Sequence, residues 1–352
     1  MLYSRLTALA ILSGCAIAAE THDFSPREDQ ARTIYQFPND TYVENIAIRP
    51  NGQILVNILT SPQIWLVDPE FPGKAVLVHE FSDVLGLSGI VEYQPDVFAI
   101  AGGNVSLSTG ESIVGSWSIW SLDLGGLNIS SYAPVSAQLP KVSKIADVPP
   151  ATFLNGMALL SGPEKQLLFV GDVKTGTIYS VDIDTGEYVI AINNTFTAPG
   201  PDYAFGVAAT DGLQMCNDTL YFTNVGQKKL NRVRLDVDGT PAGEFETVAQ
   251  TITPLDQWDD FALDHEGNAW MSTGGANTIQ KINTRTGDVK IVAGDVNSTA
   301  IAEPTSAKFG RRENDAMVLY VTTAGGLATP VNGDIVVGGQ VVAIRTESRG
   351  WS

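Results

Sequence analysis

The chain is poor in cysteine and histidine, and both shortages exclude common kinds of site. Its 352 residues include 2 cysteines and 3 histidines. No HExxH pair, zinc-ligand spacing, Ser-His-Asp order or phosphate loop can be found. Cys15 lies in a segment that we expect to be removed, so Cys216 has no partner for an internal disulfide and is expected to be a packed residue. Stability must therefore come from burial, and nucleophilic catalysis is not expected.

Basic residues are also scarce. Lys and Arg number 21 against 39 Asp and Glu, which gives a formal net charge of −18. An acidic surface disfavours nucleic acid and anionic membranes, because both are polyanions. We therefore expect no nucleic acid among the partners, whereas the acidity says little about the substrate. The small, apolar substrates that we expect are inferred from the aromatic residues described below.

Long apolar runs are absent beyond the first residues. The segment 1–19 has Arg5, an apolar run from Leu6 to Leu12, and a small-residue exit at Ala16–Ala19. That run is shorter than the ~20 residues that span a bilayer. It is typical of a cleaved signal peptide, which predicts a mature chain of residues 20–352 in the secretory pathway or outside the cell, without a membrane anchor.

Asn-X-Ser/Thr sequons support the same compartment, because N-glycans are added in the secretory pathway. Six of them follow the predicted cleavage site, and we expect each on the surface: Asn39, Asn104, Asn128, Asn193, Asn217 and Asn297.

Helical periodicity is nearly absent, and a repeated strand-turn-strand-turn-strand pattern takes its place. Six copies open near residues 44, 88, 155, 211, 259 and 305, at spacings of 44, 67, 56, 48 and 46 residues. Such spacings suit four-stranded blades, so we predict an all-β, single-domain, six-bladed β-propeller. A two-sheet sandwich is the alternative for short, evenly spaced strands. The strand-like segment 31–37 precedes the first copy and is predicted to close the last blade.

The residues that open the repeats should meet at the propeller axis, because the first strand of each blade lines the central channel. They are mostly polar: Glu44, Leu87 with Ser88, Asn155, Asp211, Asp259 with Asp260, and Thr305 with Ser306. Aromatic and apolar residues surround them: Tyr42, Phe153, Met157, Tyr203, Phe205, Trp258 and Phe261. We expect an axial pocket whose substrate-binding residues are Tyr42, Leu87, Phe153, Tyr203, Phe205, Trp258 and Thr305. Strand-end capping and blade packing are the structural alternatives for these residues.

Three short motifs resemble the regucalcin, gluconolactonase and strictosidine-synthase-like six-bladed propellers. They are Glu44 in VENIAI, Asn155-Gly156 in FLNGMAL, and Asp259 in DDFALDHEGNAW, where Asp264, Gly267 and Trp270 keep the spacing. The resemblance implies one axial divalent cation, such as calcium, held by Glu44, Asn155 and Asp259, and no organic cofactor. Oxygen ligands of this kind suit a hard cation. Asp260 replaces the usual glycine, and Leu87 stands where a fourth ligand is common.

The resemblance implies two activities. One is calcium-dependent lactone hydrolysis, in which Asp211 or Asp259 activates water. The other is that of similar fungal proteins of natural-product biosynthesis, hetero-Diels-Alderases that join an o-quinone methide to a terpene such as humulene. The lost fourth ligand and the aromatic rim favour the second, with Asp211, Asp259 and Asn155 as candidate catalytic residues. A non-catalytic binding propeller is the third possibility.

Overall fold

The computed structural model describes residues 31–107, 109–130, 139–162, 165–200 and 207–351. It is a six-bladed β-propeller in which every blade is a four-stranded antiparallel sheet. In the part of the chain described, helix is limited to the short 3-10 turn Gly274–Ala276, and no helix there is long and apolar enough to cross a membrane. The predicted fold is confirmed.

The first three blades follow one another along the chain, each with its inner strand first. Blade 1 has β2 (Val43–Ile48), β3 (Ile54–Ile58), β4 (Gln63–Val67) and β5 (Ala75–Glu80). Blade 2 has β6 (Gly86–Gln94), β7 (Val97–Gly103), β10 (Ser118–Asp123) and β11 (Lys141–Asp147), and it carries the added hairpin β8 (Val105–Ser106) and β9 (Glu111–Ser112). Blade 3 has β12 (Leu154–Ser161), β13 (Gln166–Asp172), β14 (Ile178–Asp182) and β15 (Tyr188–Ile192).

The other three blades complete the ring. Blade 4 has β16 (Thr210–Cys216), β17 (Thr219–Asn224), β18 (Lys229–Arg234) and β19 (Glu246–Gln250). Blade 5 has β20 (Phe261–Leu263), β21 (Ala269–Ser272), β22 (Thr278–Ile282) and β23 (Val289–Gly294). Blade 6 has β24 (Pro304–Phe309), β25 (Val318–Thr323), β26 (Gln340–Arg345) and β1 (Ala31–Gln36). As expected, the N-terminal strand pairs with β26 and closes the last blade, with Ala31 opposite Ile344.

The core consists of six apolar layers, each between two neighbouring blades. Strand β7 shows how the sequence produces them. Phe98 and Ile100 pack toward blade 1, whereas Ala99 and Ala101 pack toward blade 3. Successive side chains of a strand point to opposite faces, so a continuous apolar run serves two layers at once. This explains the continuous apolar run of β7, VFAIAGG.

Candidate functional site

The inner strands begin at one end of the axis, which we call the upper end, and finish at the lower end. Three polar residues that were predicted to meet at the upper end lie where strand pairing is irregular. Register shifts occur between Val43 and Asn45, between Leu154 and Met157, and between Thr210 and Leu213. These intervals contain Glu44, Asn155 and Asp211. A bulge re-aims the side chains of a strand, so these three can face the axis while their strands stay paired.

In blades 2, 3 and 4 a glycine follows the polar residue that opens the repeat. The backbone of the next blade leaves no room for a side chain at these positions. A Cβ on Gly89 would lie 2.1 Å from the Asn155 carbonyl oxygen, and one on Gly156 would lie 2.2 Å from that of Asp211. A Cβ on Gly212 would lie 2.7 Å from the Cα of Asp260. Each inner strand therefore rests directly on the backbone of the next blade.

Polar residues take the place of these glycines in the other three blades. Asn45 donates from Nδ2 to Asp260 Oδ2 at 3.1 Å, and Ser306 Oγ lies 3.0 Å from Asn45 Oδ1 and 3.3 Å from Asp260 Oδ2. Gln214 Nε2 donates to Asp260 Oδ1 at 3.3 Å. Asp260, which stands where the resemblance expects glycine, is thus the centre of a buried polar plug formed by Asn45, Asp260 and Ser306. This plug closes the axis below the upper end.

A pocket lies above the plug. Its polar residues include Glu44, Asn155, Lys174, Asp211 and Asp259. Its other walls are largely apolar: Tyr42, Leu59, Val105, Leu107, Phe153 and Val173. The enclosed space is about 40 Å³. The enclosed part holds a few waters or one ion, since one water needs roughly 10–15 Å³. A larger molecule would have to lie in the mouth.

Three oxygens at this floor are buried and have no hydrogen-bond partner: Glu44 Oε2, Asn155 Oδ1 and Asp211 Oδ1. Asn155 donates from Nδ2 to Glu44 Oε1 at 2.6 Å, which holds both side chains in place. A buried polar atom without a partner costs about 1–3 kcal/mol, so this cluster is maintained at the expense of stability. Such atoms are typical of a site completed by a proton, an ion or a ligand.

The carboxyl groups of the floor favour their neutral forms. Burial raises the pKa of Glu44 to about 7, which the hydrogen bond from Asn155 opposes and the charge of Asp260 reinforces. The pKa values of Asp211 and Asp259 are raised well above the usual range, first by burial and then by neighbouring carboxylates. Charges this close cannot all be ionised in the absence of a cation. At neutral pH the cluster must hold protons or a positive ion.

The donor chemistry fits a hard cation. The unpartnered atoms of the two carboxylates and the amide are all oxygens, which suits calcium with water as additional ligands. Of the three predicted ligands, Glu44 and Asn155 have such an unpartnered oxygen, and Asp211 is a further residue that has one. Asp259, the third predicted ligand, lines the same pocket. No group of three or more His, Cys, Asp or Glu within the described ranges has a geometry ready for a metal. An amide oxygen would therefore have to contribute.

Three predicted substrate-binding residues lie outside the pocket. Leu87 packs in the layer between blades 1 and 2. Trp258 is fully buried between blades 4 and 5 and donates from Nε1 to Gln280 Oε1 at 2.8 Å. Thr305 Oγ1 donates to the Val43 carbonyl oxygen at 2.7 Å.

Met157 and Phe261 are also core residues, so the pocket wall is more aliphatic than expected. Tyr42 and Phe153 do line it. Tyr203 and Phe205 lie outside the described residues.

The sequence-based prediction missed the hairpin β8–β9 and Lys174. Val105, Ser106, Leu107 and Gly110 of this hairpin form one wall of the pocket, beside Lys174. Burial lowers the pKa of Lys174, which the nearby Asp172 partly offsets. The spacing of 67 residues between the second and third repeats, the largest of the set, was the available indication of an insertion.

Two other predicted features lie away from the pocket. Asp264 caps its own turn by accepting from the Asn268 backbone at 2.8 Å and from Trp270 Nε1 at 2.9 Å, so this motif is structural. Five sequon asparagines are exposed, and Asn104 is half-buried.

Comparison with known proteins agrees with this architecture. No protein-family model matches the chain. A protein of Sarocladium schorii whose provisional name is hetero-Diels-Alderase is 25% identical over 362 aligned positions, covering 94% of this chain and 86% of its own length. Another of the same provisional name, from a Phoma species, is 28% identical over 323 positions, covering 83% of this chain and 86% of its own length.

Solved structures show the same fold. A luciferin-regenerating enzyme superposes with a TM-score of 0.65 at 17% identity, covering 93% of this chain and 98% of its own. Regucalcin from Agrobacterium tumefaciens gives 0.62 at 16% identity, covering 91% and 95%. The resemblance drawn from the axial motifs is therefore confirmed.

Proposed function

We propose that this protein is an enzyme, a cyclase of the hetero-Diels-Alderase type that acts at the upper end of the axis. The observation that carries the proposal is the similarity to two proteins of that provisional name, which spans 83% and 94% of the chain. The pocket is compatible with it, because a cycloaddition needs a shaped apolar wall and a polar group but no nucleophile.

The proposed substrates are an o-quinone methide, from a tropolone or phenol polyketide, and a terpene such as humulene. They would lie in the mouth of the pocket, against Tyr42, Leu59, Leu107 and Phe153. Holding both partners in a near-attack geometry can contribute several kcal/mol to the rate.

The polar floor would stabilise the charge that develops on the quinone methide oxygen. At neutral pH a protonated Asp211 carboxyl can donate a hydrogen bond, because its pKa is raised by burial and by Glu44. Lys174 faces the same pocket and offers a second donor. Donors fixed in place before reaction stabilise such an oxyanion better than water does. We assign Asp211 as the principal hydrogen-bond donor. Glu44 and Asn155 are hydrogen-bonded to each other and keep the side chains at the base of the pocket in position.

A calcium-dependent lactonase is the second candidate, favoured by the unpartnered oxygens of Glu44, Asn155 and Asp211. A divalent cation held there would supply a Lewis acid that polarises a carbonyl. Asp259, which lines the same pocket, would then act on the attacking water.

One experiment separates these functions. Purified protein is given an o-quinone methide precursor with humulene, and in parallel an aldonolactone, each with and without a chelator. We expect a stereochemically defined adduct, at least about tenfold less of it with Asp211→Ala, which removes the proposed donor, and full activity with Asp184→Ala on an exposed turn. Chelator-sensitive lactone opening without adduct would support the hydrolase instead. If neither product forms, the result would support a propeller that binds small molecules without catalysis.

A further inference from the structure

A second cavity lies at the lower end of the axis, on the other side of the polar plug. It has a volume of about 250 Å³, larger than the enclosed floor of the upper pocket. The last residues of five inner strands surround it, and Trp351 lies at its edge. The Trp351 backbone N–H donates to the Leu263 carbonyl oxygen at 2.9 Å, which fixes the C-terminal segment there. The cavity is therefore a built feature of the propeller.

The wall of this cavity is mainly apolar, with Ile48, Ile90, Leu263 and Phe309 among its residues. Four polar side chains interrupt it: Glu92, Gln214, Lys308 and Arg311. Apolar walls with a few convergent polar groups are characteristic of small-molecule sites.

The charges of the cavity leave one cation without a counter-ion. Arg311 is paired with Glu92 and also donates to the Ile48 carbonyl oxygen at 2.9 Å. Lys308 Nζ contacts Gln214 Oε1 at 2.8 Å. Among the described residues no carboxylate lies within ion-pairing distance of this ammonium group. A desolvated charge without a partner is costly, so the site favours an anion.

The orientation of Lys308 is fixed through the plug. Gln214 donates to Asp260 with its amide N–H, so its carbonyl oxygen faces Lys308. Burial lowers the pKa of Lys308, an effect that the charge of Asp260 partly offsets. One ammonium N–H bonds to Gln214, which leaves donors for a ligand in the cavity.

We propose that the lower cavity is a binding site for a compact organic monoanion, a carboxylate with an apolar body, held by Lys308. The carboxylate would accept hydrogen bonds from Lys308 Nζ, and the body would pack on Ile90, Leu263 and Phe309. This site is separate from the upper pocket and does not rest on the function proposed for it.

The test uses benzoate as the probe and the neutral benzamide as its comparison, measured by calorimetry on the whole protein. We expect saturable benzoate binding in about the millimolar range or tighter. Benzamide should bind at least about tenfold more weakly, and Lys308→Met should weaken benzoate binding by at least the same factor. Lys141→Met is the matched control, because that lysine is exposed on β11, and it should bind benzoate as the unmodified protein does.

A second measurement keeps the proposal falsifiable if Lys308→Met does not fold. Crystals soaked in 4-bromobenzoate should show the anomalous bromine peak in the lower cavity, beside Leu263 and Phe309. The proposal is overturned by any of three results: no saturable binding, equal affinity for benzoate and benzamide, or bromine located elsewhere. Unchanged binding to a folded Lys308→Met protein would also overturn it.

Discussion

The two ends of the axis are built from the same six strands, yet they differ in charge and in room. The upper end collects Glu44, Asp211 and Asp259 around a tight floor, whereas the lower end has Lys308 and Arg311 in a wider cavity. The polar plug separates them. Propeller symmetry therefore fixes where side chains converge, while the residue types at the two ends of each inner strand decide what each end can bind.

The largest expected effect concerns the close packing of the upper end. Gly156→Ala would place a methyl group 2.2 Å from the Asp211 carbonyl oxygen, a backbone atom that cannot move without separating blades 3 and 4. We expect no accumulation of folded protein, or a melting temperature lowered by more than about 10 °C, measured by calorimetry. Gly243→Ala is the control, since its Cβ would meet only Arg234 Cβ at 3.7 Å. Equal melting temperatures for the two variants would contradict the packing described.

The second effect concerns the separation of the two ends. Asp260→Ala removes the acceptor shared by Asn45, Gln214 and Ser306. Buried donors without partners cost about 1–3 kcal/mol each, so we expect a melting temperature lower by roughly 6–12 °C. Asp184→Ala, in an exposed turn, should change it little. A stable Asp260→Ala protein would mean that the plug is dispensable.

The smallest effect is a pH dependence from Glu303, which lines a small neighbouring pocket together with Tyr42 and Asp259. Burial raises its pKa to about 7, although the Ala328 N–H and the Thr329 hydroxyl donate to it. An unfolded glutamate titrates near its usual value, so the folded state binds the proton more strongly between the two pKa values. The contribution of Glu303 to stability should therefore be fully present below about pH 4.5 and should be lost as the pH rises to about 7, by about 3 kcal/mol at most.

The measurement is chemical denaturation at several pH values in the presence of a chelator. Glu303→Gln should reduce the slope of stability against pH, whereas Glu266→Gln, on an exposed turn, should keep it. Parallel slopes for all three proteins would show that Glu303 is ionised in the fold.

Sequence was informative wherever a pattern repeats. The turns and the apolar strands predicted six blades, and equivalent positions in the repeats located Glu44, Asn155, Asp211 and Asp259 at the pocket. It was less informative about neighbours in sequence. Leu87 and Ser88 are adjacent in β6, and adjacent side chains of a strand point to opposite sides. Leu87 therefore packs in the core between blades 1 and 2, as Trp258 does between blades 4 and 5.

The rest of the site could not be predicted because it comes from outside the repeat. The hairpin β8–β9 is an insertion in blade 2, and its position over the pocket is a tertiary property. The lower cavity has no motif either. Its residues are the strand ends, where Lys308 and Gln214 meet although they lie 94 positions apart.

The closure of blade 6 by β1 has a consequence for synthesis. Ala31 pairs with Ile344, so β1, the first of the described strands to be made, must wait for β26, the last of them. Until then both strands have open edges, and contacts between segments so far apart in sequence form slowly. Assembly of this ring should therefore depend on protection of the nascent chain, and the ring should close only after β26 has emerged from the ribosome.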